Sequence, residues 1–369
     1  MNGTMKNPHG GDIYKASRVY GYDVNDILDY SANINPFGIP DGLREKIISA
    51  VDCLVNYPDP DCTRLREAAS LYLAIPEESI VFGNGASEII FLLFEELAPK
   101  KVIIPAPTFS EYAKAASRIG AEVCHFKLRE EAGFGLDVDE LINRMTDETD
   151  AVVICNPNNP TSALVSREAL KRLIEHAYKK GIKIIIDEAF IELTDDPGAN
   201  TIIDYTKEYD NLFVVRAFTK IFAIPGLRLG YGVGNRETVG RLWERKPAWS
   251  VNSLACCVGE YLGESGEYLK KTAKWISEEK LWFYEELTKI QGIRVFKPET
   301  NFILIKLADL DISSWKLREL CAQRGVLVRD ASNFTFLNDR FIRVAIKDRQ
   351  SNTKFLKIFK ELLEGGFRG

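Results

Sequence analysis

From Ile80 to Gly234 the chain alternates short apolar runs with longer amphipathic stretches, and a chain written this way has few ways to bury itself. The apolar runs lie at residues 80–82, 101–104, 123–126, 151–155, 183–187, 212–216 and 230–234, each of strand length. Helix-like stretches separate several of them, at residues 87–97, 110–119 and 167–180. In the last, Leu170, Leu173, Ile174 and Ala177 form an i, i+3, i+4, i+7 stripe. Ser166, three residues before Ala169, offers an N-cap without the full capping box. Strands alternating with helices predict an α/β fold with a mostly parallel sheet covered on both faces.

After Trp249 the texture changes. Residues 252–290 form a long amphipathic region in which Trp275 and Trp282, seven apart, share a helix face. Strands are expected at 302–305, 326–328 and 341–346, and helices at 313–324 and 351–363. We read this as a second, smaller α+β domain spanning residues 251–369, with residues 1–40 as an N-terminal arm contributing to it and residues 41–250 as the larger domain. No internal repeat or low-complexity tract interrupts the pattern.

Charge narrows the function classes. Lys+Arg 48 against Asp+Glu 53 leaves a net charge of −5, which favours neither a nucleic-acid backbone nor an anionic membrane surface. Seven cysteines without a C-x-x-C pair suggest neither a disulfide framework nor a zinc site, so no metal is expected. A reducing cytoplasm is the expected compartment. The polar, Gly-rich start from Met1 to Asp12 reads as neither signal peptide nor anchor. The longest apolar runs fall far short of the roughly 20 residues of a membrane-spanning helix.

Four constellations carry chemistry, and in a parallel α/β sheet all would gather at strand ends, where ligands bind. Gly83-Asn84-Gly85-Ala86-Ser87 follows a strand and opens a helix; it is either a tight turn or a phosphate cradle, and Glu88 in place of a third glycine rules out a dinucleotide fingerprint. Asn156-Pro157-Asn158-Asn159-Pro160-Thr161 is a Pro-rich turn after a strand. Asp187-Glu188-Ala189-Phe190 closes the strongest strand, and a carboxylate there is either at the surface or in need of a cation. Thr219-Lys220 is followed by Pro225-Gly226-Leu227-Arg228-Leu229-Gly230. A phosphate cradle, an amide, an acceptor for a protonated ring nitrogen and a reactive lysine are together what pyridoxal 5'-phosphate requires.

The ordered set G-N-G-A-S, N-N-P-T, D-E-A-F and T-K-x-x-x-x-P-G-L-R-L-G resembles the fold-type I superfamily of pyridoxal-phosphate aminotransferases. The resemblance covers essentially the whole chain and implies a large cofactor-binding domain with a mostly parallel seven-stranded sheet beside the smaller α+β domain. Within the superfamily the chain is similar to the threonine-phosphate decarboxylases of cobalamin biosynthesis, relatives of histidinol-phosphate aminotransferases. That closer likeness rests on His9-Gly10-Gly11, the run from Tyr30 to Pro36, Asn56-Tyr57-Pro58-Asp59, the run from Ala223 to Tyr231, Trp249-Ser250-Val251-Asn252 and Arg343-Val344-Ala345-Ile346.

By matching position, the resemblance implies that Lys220 carries the cofactor aldehyde and Asp187 holds the pyridine nitrogen protonated. Asn159 would bond the ring 3-oxygen and Phe109 would stack on the ring. Ala86, Ser87, Thr219 and Arg228 would hold the phosphate, with Tyr57 reaching it from a neighbouring subunit, which implies a homodimer with shared sites. Substrate binding would fall to His9, Gly10, Asn33, Asn159, Arg329 and Arg343, two arginines suiting a phosphate and a carboxylate.

Three departures stand out. Ala217 replaces a Ser or Thr that many relatives carry, Phe190 stands where the aminotransferases usually place Tyr, and the usual N-P-T-G ends in Ser162, read as a tolerated loop variation. The expected reaction is decarboxylation of O-phospho-L-threonine to (R)-1-aminopropan-2-ol O-phosphate and carbon dioxide. The alternatives are O-phospho-L-serine as substrate, histidinol-phosphate transamination, and a cofactor-sensing regulatory module of the kind fused to a DNA-binding domain. The last lacks a helix-turn-helix segment ahead of residue 80.

Overall fold

A computed structural model of the chain describes residues 10–365. Seven strands form the main sheet: β1 (Ile80–Asn84), β2 (Lys101–Ala106), β3 (Glu122–Lys127), β4 (Ala151–Cys155), β5 (Lys183–Asp187), β6 (Leu212–Ala217) and β7 (Leu229–Val233). Their order across the sheet is β1-β7-β6-β5-β4-β2-β3. All neighbours are parallel except β7, which runs antiparallel to both β1 and β6. The sheet is therefore mostly parallel, as the alternation predicts.

Side-chain alternation splits the core into two layers. Val152, Ile154, Ile184, Ile186 and Val214 point to one face, under Leu170, Leu173, Ile174 and Ala177 of α3 (Arg167–Lys180). Val153, Ile185, Phe213 and Val215 point to the other, beneath α1 (Ala86–Leu97) and α2 (Glu111–Arg118). Ser166 caps α3 through its side chain at 3.2 Å from the Ala169 amide, and Gly181 ends it in the left-handed region.

The smaller α+β part is an antiparallel sheet of β8 (Ile293–Val295), β9 (Phe302–Leu307), β10 (Arg329–Asp330) and β11 (Phe341–Ala345), ordered β10-β11-β9-β8. It packs under α4 (Gly266–Thr288) and α5 (Arg349–Glu364). The amphipathic stretch 252–290 is not one helix: it breaks into Ser253–Cys256 and Val258–Leu262 before α4 begins. Trp275 is buried on α4, whereas Trp282 is only partly covered and stacks with the Arg349 guanidinium at 3.8 Å from the ring centroid.

The N-terminal segment is woven into this second sheet system. Leu28 and Asp29 pair in parallel with Val326 and Leu327, and the Ala345 amide donates to the Tyr30 carbonyl. Beyond them Asn35 donates to the Ile221 carbonyl and to Thr272 Oγ1, which fastens residues 31–35 over the turn that follows β6. Among the described residues no helix is long and apolar enough to cross a membrane.

Candidate active site

Strands β1, β2, β4, β5 and β6 all end on the same edge of the sheet, and β7 begins there. Loops leaving that edge and the N-terminal segment enclose a cavity of about 410 Å³. The cavity is lined by Gly10, Asn33, Ala86, Ser87, Phe109, Asn159, Asp187, Thr219, Lys220, Arg228, Arg329 and Arg343. Of the expected site residues, Tyr57 lies elsewhere, exposed and stacked on Trp249 with ring centroids 4.5 Å apart. His9 lies outside the described residues.

One end of the cavity is built for an anion. Helix α1 starts at Ala86 without a side-chain cap, so its first amides have no partner within the helix. The Ser87 hydroxyl, Thr219 and Arg228 line the same end. Close approach dictates the glycines here: a Cβ at Gly85, itself at φ +77°, would lie 2.5 Å from Arg228 Nη2, and one at Gly230 would run into the Ala86 amide. The G-N-G-A-S segment is thus packed tightly against Arg228 and the start of β7.

The opposite wall is formed by Asp187, which is buried at the end of β5. Its Oδ2 accepts from the Tyr112 hydroxyl at 2.6 Å and its Oδ1 from the Ala189 amide at 2.9 Å. Burial pushes its carboxyl up from the usual carboxylate range, with these hydrogen bonds pulling the other way. Neighbouring Glu188 has the opposite fate. It is fully buried behind the wall, where Arg216 donates to its Oε2 through Nε at 2.9 Å and Nη2 at 2.7 Å. Of the two adjacent carboxylates, Asp187 alone lines the cavity.

Lys220 sits between these ends, on the single helical turn Phe218–Ile221 that follows β6. Burial, reinforced by the Arg343 and Arg228 charges, holds its amine down at about 8, with Asp187 opposing. Phe190 lies beneath it, its ring centroid 5.9 Å from Nζ. Phe109 forms a side wall of the cavity, edge-on to Tyr112.

The outer end belongs to the second sheet. Arg329 and Arg343 are direct partners across β10 and β11. Arg343 donates to Asn159 Oδ1 and, at 2.8 Å, to the Ser31 carbonyl, while its Nε has no partner. Burial, then the nearby Arg329, pulls its guanidinium down to about 9. Arg329 bonds Asn333 Oδ1 at 2.7 Å and faces the Phe334 ring at 5.1 Å. Asn33 is buried with both amide atoms unpartnered. Because Asn159 Oδ1 is taken by a cation that cannot accept, its Nδ2 is the donor left to the cavity.

Sequence reasoning missed several of these groups. Tyr112 reads as an apolar-face aromatic of α2, and Ser31 acts through its carbonyl, which no motif encodes. Ser162 is more than a loop variant. It is buried at φ +63°, and its Oγ accepts from the Glu299 and Thr300 amides at 2.9 and 3.0 Å, tying the Asn159 loop to the start of β9.

The cavity fits pyridoxal phosphate. It has an uncapped helix start with a guanidinium for the phosphate, a buried carboxylate whose raised affinity for protons calls for a cation, and a lysine with a depressed amine between them. Comparison with known proteins identifies the chain's relatives. Residues 25–359 match the family model described as aminotransferase class I and II. The chain is 39% identical to a protein of Caldanaerobacter subterraneus subsp. tengcongensis provisionally named a threonine-phosphate decarboxylase, over 97% of this chain and 94% of that one. It is 34% identical to the threonine-phosphate decarboxylase of Salmonella typhimurium, over 97% of both chains. The crystal structure of the histidinol-phosphate aminotransferase from Clostridium acetobutylicum superposes with a TM-score of 0.85 at 38% identity, covering 92% of this chain and all of that one.

Proposed function

The chain belongs to the aminotransferase class I and II family, and on that premise we propose that it is a pyridoxal-phosphate-dependent lyase that decarboxylates O-phospho-L-threonine. The products are carbon dioxide and (R)-1-aminopropan-2-ol O-phosphate, the chemistry of the aminopropanol arm of cobalamin biosynthesis. The observation that carries the substrate reading is the pair Arg329 and Arg343, side by side across β10 and β11 in the cavity that holds Lys220. Two guanidinium groups beyond the phosphate cradle suit a substrate with two anionic groups of its own.

Pyridoxal phosphate, when bound, supplies a conjugated ring that accepts the electron pair released as a bond to the substrate Cα breaks. The chain's residues do the rest. The α1 N-terminus, Ser87, Thr219 and Arg228 hold the cofactor phosphate. The Asp187 carboxylate would accept a hydrogen bond from a protonated ring nitrogen, and Asn159 Nδ2 would donate to the ring oxygen. Phe109 packs against the ring face. Lys220, with its amine near 8, is neutral often enough at neutral pH to attack an aldehyde. Arg343 and Arg329, with Asn33 and Gly10, would hold the substrate anions and so fix which Cα bond is presented for cleavage. Presenting the carboxylate bond would favour the loss of carbon dioxide over the loss of the Cα proton.

The exposed Tyr57, outside its own cavity, is consistent with a homodimer in which it completes the neighbouring chain's phosphate site. A reducing cytoplasm suits the seven free thiols.

The test supplies the purified holoenzyme with O-phospho-L-threonine, O-phospho-L-serine, or histidinol phosphate plus 2-oxoglutarate, and follows carbon dioxide and keto-acid together. Carbon dioxide from phosphothreonine without a pyridoxamine form is the expected result. The 38% identity to a histidinol-phosphate aminotransferase makes transamination the second reading. Rapid glutamate formation from histidinol phosphate, with no carbon dioxide from either phosphoamino acid, would establish it instead.

A further inference from the structure

One side chain touches both groups that would flank the cofactor ring. Tyr112 is fully buried on α2; its hydroxyl donates to Asp187 Oδ2 at 2.6 Å, and its ring stands at 79° to that of Phe109 with centroids 5.6 Å apart. The placement follows from the sheet. Asp187 lies two residues beyond Ile185, on the face that α2 covers, so the helix presents Tyr112 directly to the carboxylate.

The other titratable or charged groups facing Asp187 are Cys155 on the adjacent strand β4, Lys220 across the cavity, and Glu188 beside it, whose charge is met by Arg216. Burial raises the Asp187 carboxyl, and the Tyr112 hydrogen bond is the largest influence lowering it. Burial and the Asp187 charge hold the Tyr112 phenol far above its ordinary range, so it remains a donor at any working pH.

We propose that Tyr112 is a positioning residue that keeps the Asp187 carboxylate ionised and aimed at the ring nitrogen while fixing Phe109 against the ring. This rests on the role given to Asp187 above. The sign is definite. Without the phenol the carboxyl affinity for protons rises, Asp187 becomes neutral at a higher pH, and a protonated ring loses its partner sooner as pH falls.

The experiment measures pyridoxal phosphate binding to the cofactor-free protein at a series of pH values, by cofactor absorbance, for wild type, Tyr112→Phe, Asp187→Asn and the double variant. Tyr112→Phe keeps the ring and deletes the donor. Its acid limb of binding is expected to move up by about one to two pH units, the worth of one hydrogen bond to a charged group, with affinity recovering above the new midpoint. In the Asp187→Asn background the same change should do nothing, because Tyr112 acts through the charge. That background also removes the buried carboxylate which phenylalanine would leave short of a donor, and thermal transitions of the cofactor-free variants check folding. An unshifted acid limb in Tyr112→Phe, with binding weakened in Asp187→Asn, overturns the role of Tyr112 alone. Wild-type binding by Asp187→Asn at every pH overturns the reading of Asp187, and this proposal with it.

Discussion

Replacing Ser162 by glycine restores the residue that relatives usually carry in this loop, yet it should destabilise this protein. Ser162 sits at φ +63°, where a side chain costs about 1–2 kcal/mol that glycine recovers. Glycine gives back about 0.5–1 kcal/mol of that through the freer unfolded chain. The hydroxyl accepts from two buried amides. Glu299 would keep a second acceptor, the Ser162 carbonyl at 3.2 Å, but the Thr300 amide would be orphaned at a cost of about 1–3 kcal/mol. The sum is a net loss of about 1 kcal/mol. Ser162→Ala keeps the backbone strain and loses the same bonds, so it should cost about 2 kcal/mol. Thermal unfolding of the three proteins at one cofactor concentration should rank wild type above glycine above alanine. A glycine variant as stable as wild type would show that the hydroxyl bonds are worth little. An alanine variant matching the glycine variant would refute the strain argument.

Borohydride reduction of the holoenzyme followed by peptide mapping should place the pyridoxyl group on Lys220; an adduct on another lysine would dismantle the site as described. With its amine near 8, Lys220 is protonated below that pH, so cofactor capture by the cofactor-free protein should quicken as pH rises and level off above about 8. Arg343→Gln removes one of the cations that depress the amine and should move that midpoint upward; capture indifferent to pH contradicts both statements. Arg343→Lys cannot reproduce the fork that spans Asn159 and Ser31, so turnover of phosphothreonine should fall by about one to two orders of magnitude, with cofactor binding little changed.

What the sequence discloses follows from where the physical signal is local. Residues 151–155, 167–180 and 183–187 match their elements to the residue, because an unbroken apolar run or a capped i, i+3, i+4 stripe states its own limits. Strand β7 is displaced by one residue from 230–234, since Gly230 and Gly232 within it and Gly234 just beyond it carry little apolar signal. Strands β8 and β10 are not apparent at all; they are two or three residues long and exist by pairing with β9 and β11. In the site, Lys220, Asp187, Asn159 and Arg228 are legible because their motifs need those chemical types. What the doublet Asp187-Glu188 does not disclose is the partner of its second carboxylate, since Arg216 reaches Glu188 from the adjacent strand β6. Tyr112 and Ser162 look like core and loop because their partners come from distant segments.

The direction of β7 has a consequence for the order in which the protein can come together. Among the described residues β1 is an edge strand whose only sheet neighbour is β7, with register partners running from Leu229 to Val233. The two strands are far apart in the chain, so the pairing cannot form before residues 229–233 have been made. A nascent chain that has emerged as far as β5 already possesses Asp187 and the Asn159 loop, but Gly85 has no Arg228 to meet. The anion cradle comes into being only when β7 slots between β6 and β1. If the proposed cofactor binds there, its capture would register completion of the sheet, and a chain stalled with that seam unzipped would present an open strand edge to its neighbours without the ligand that stabilises the closed form.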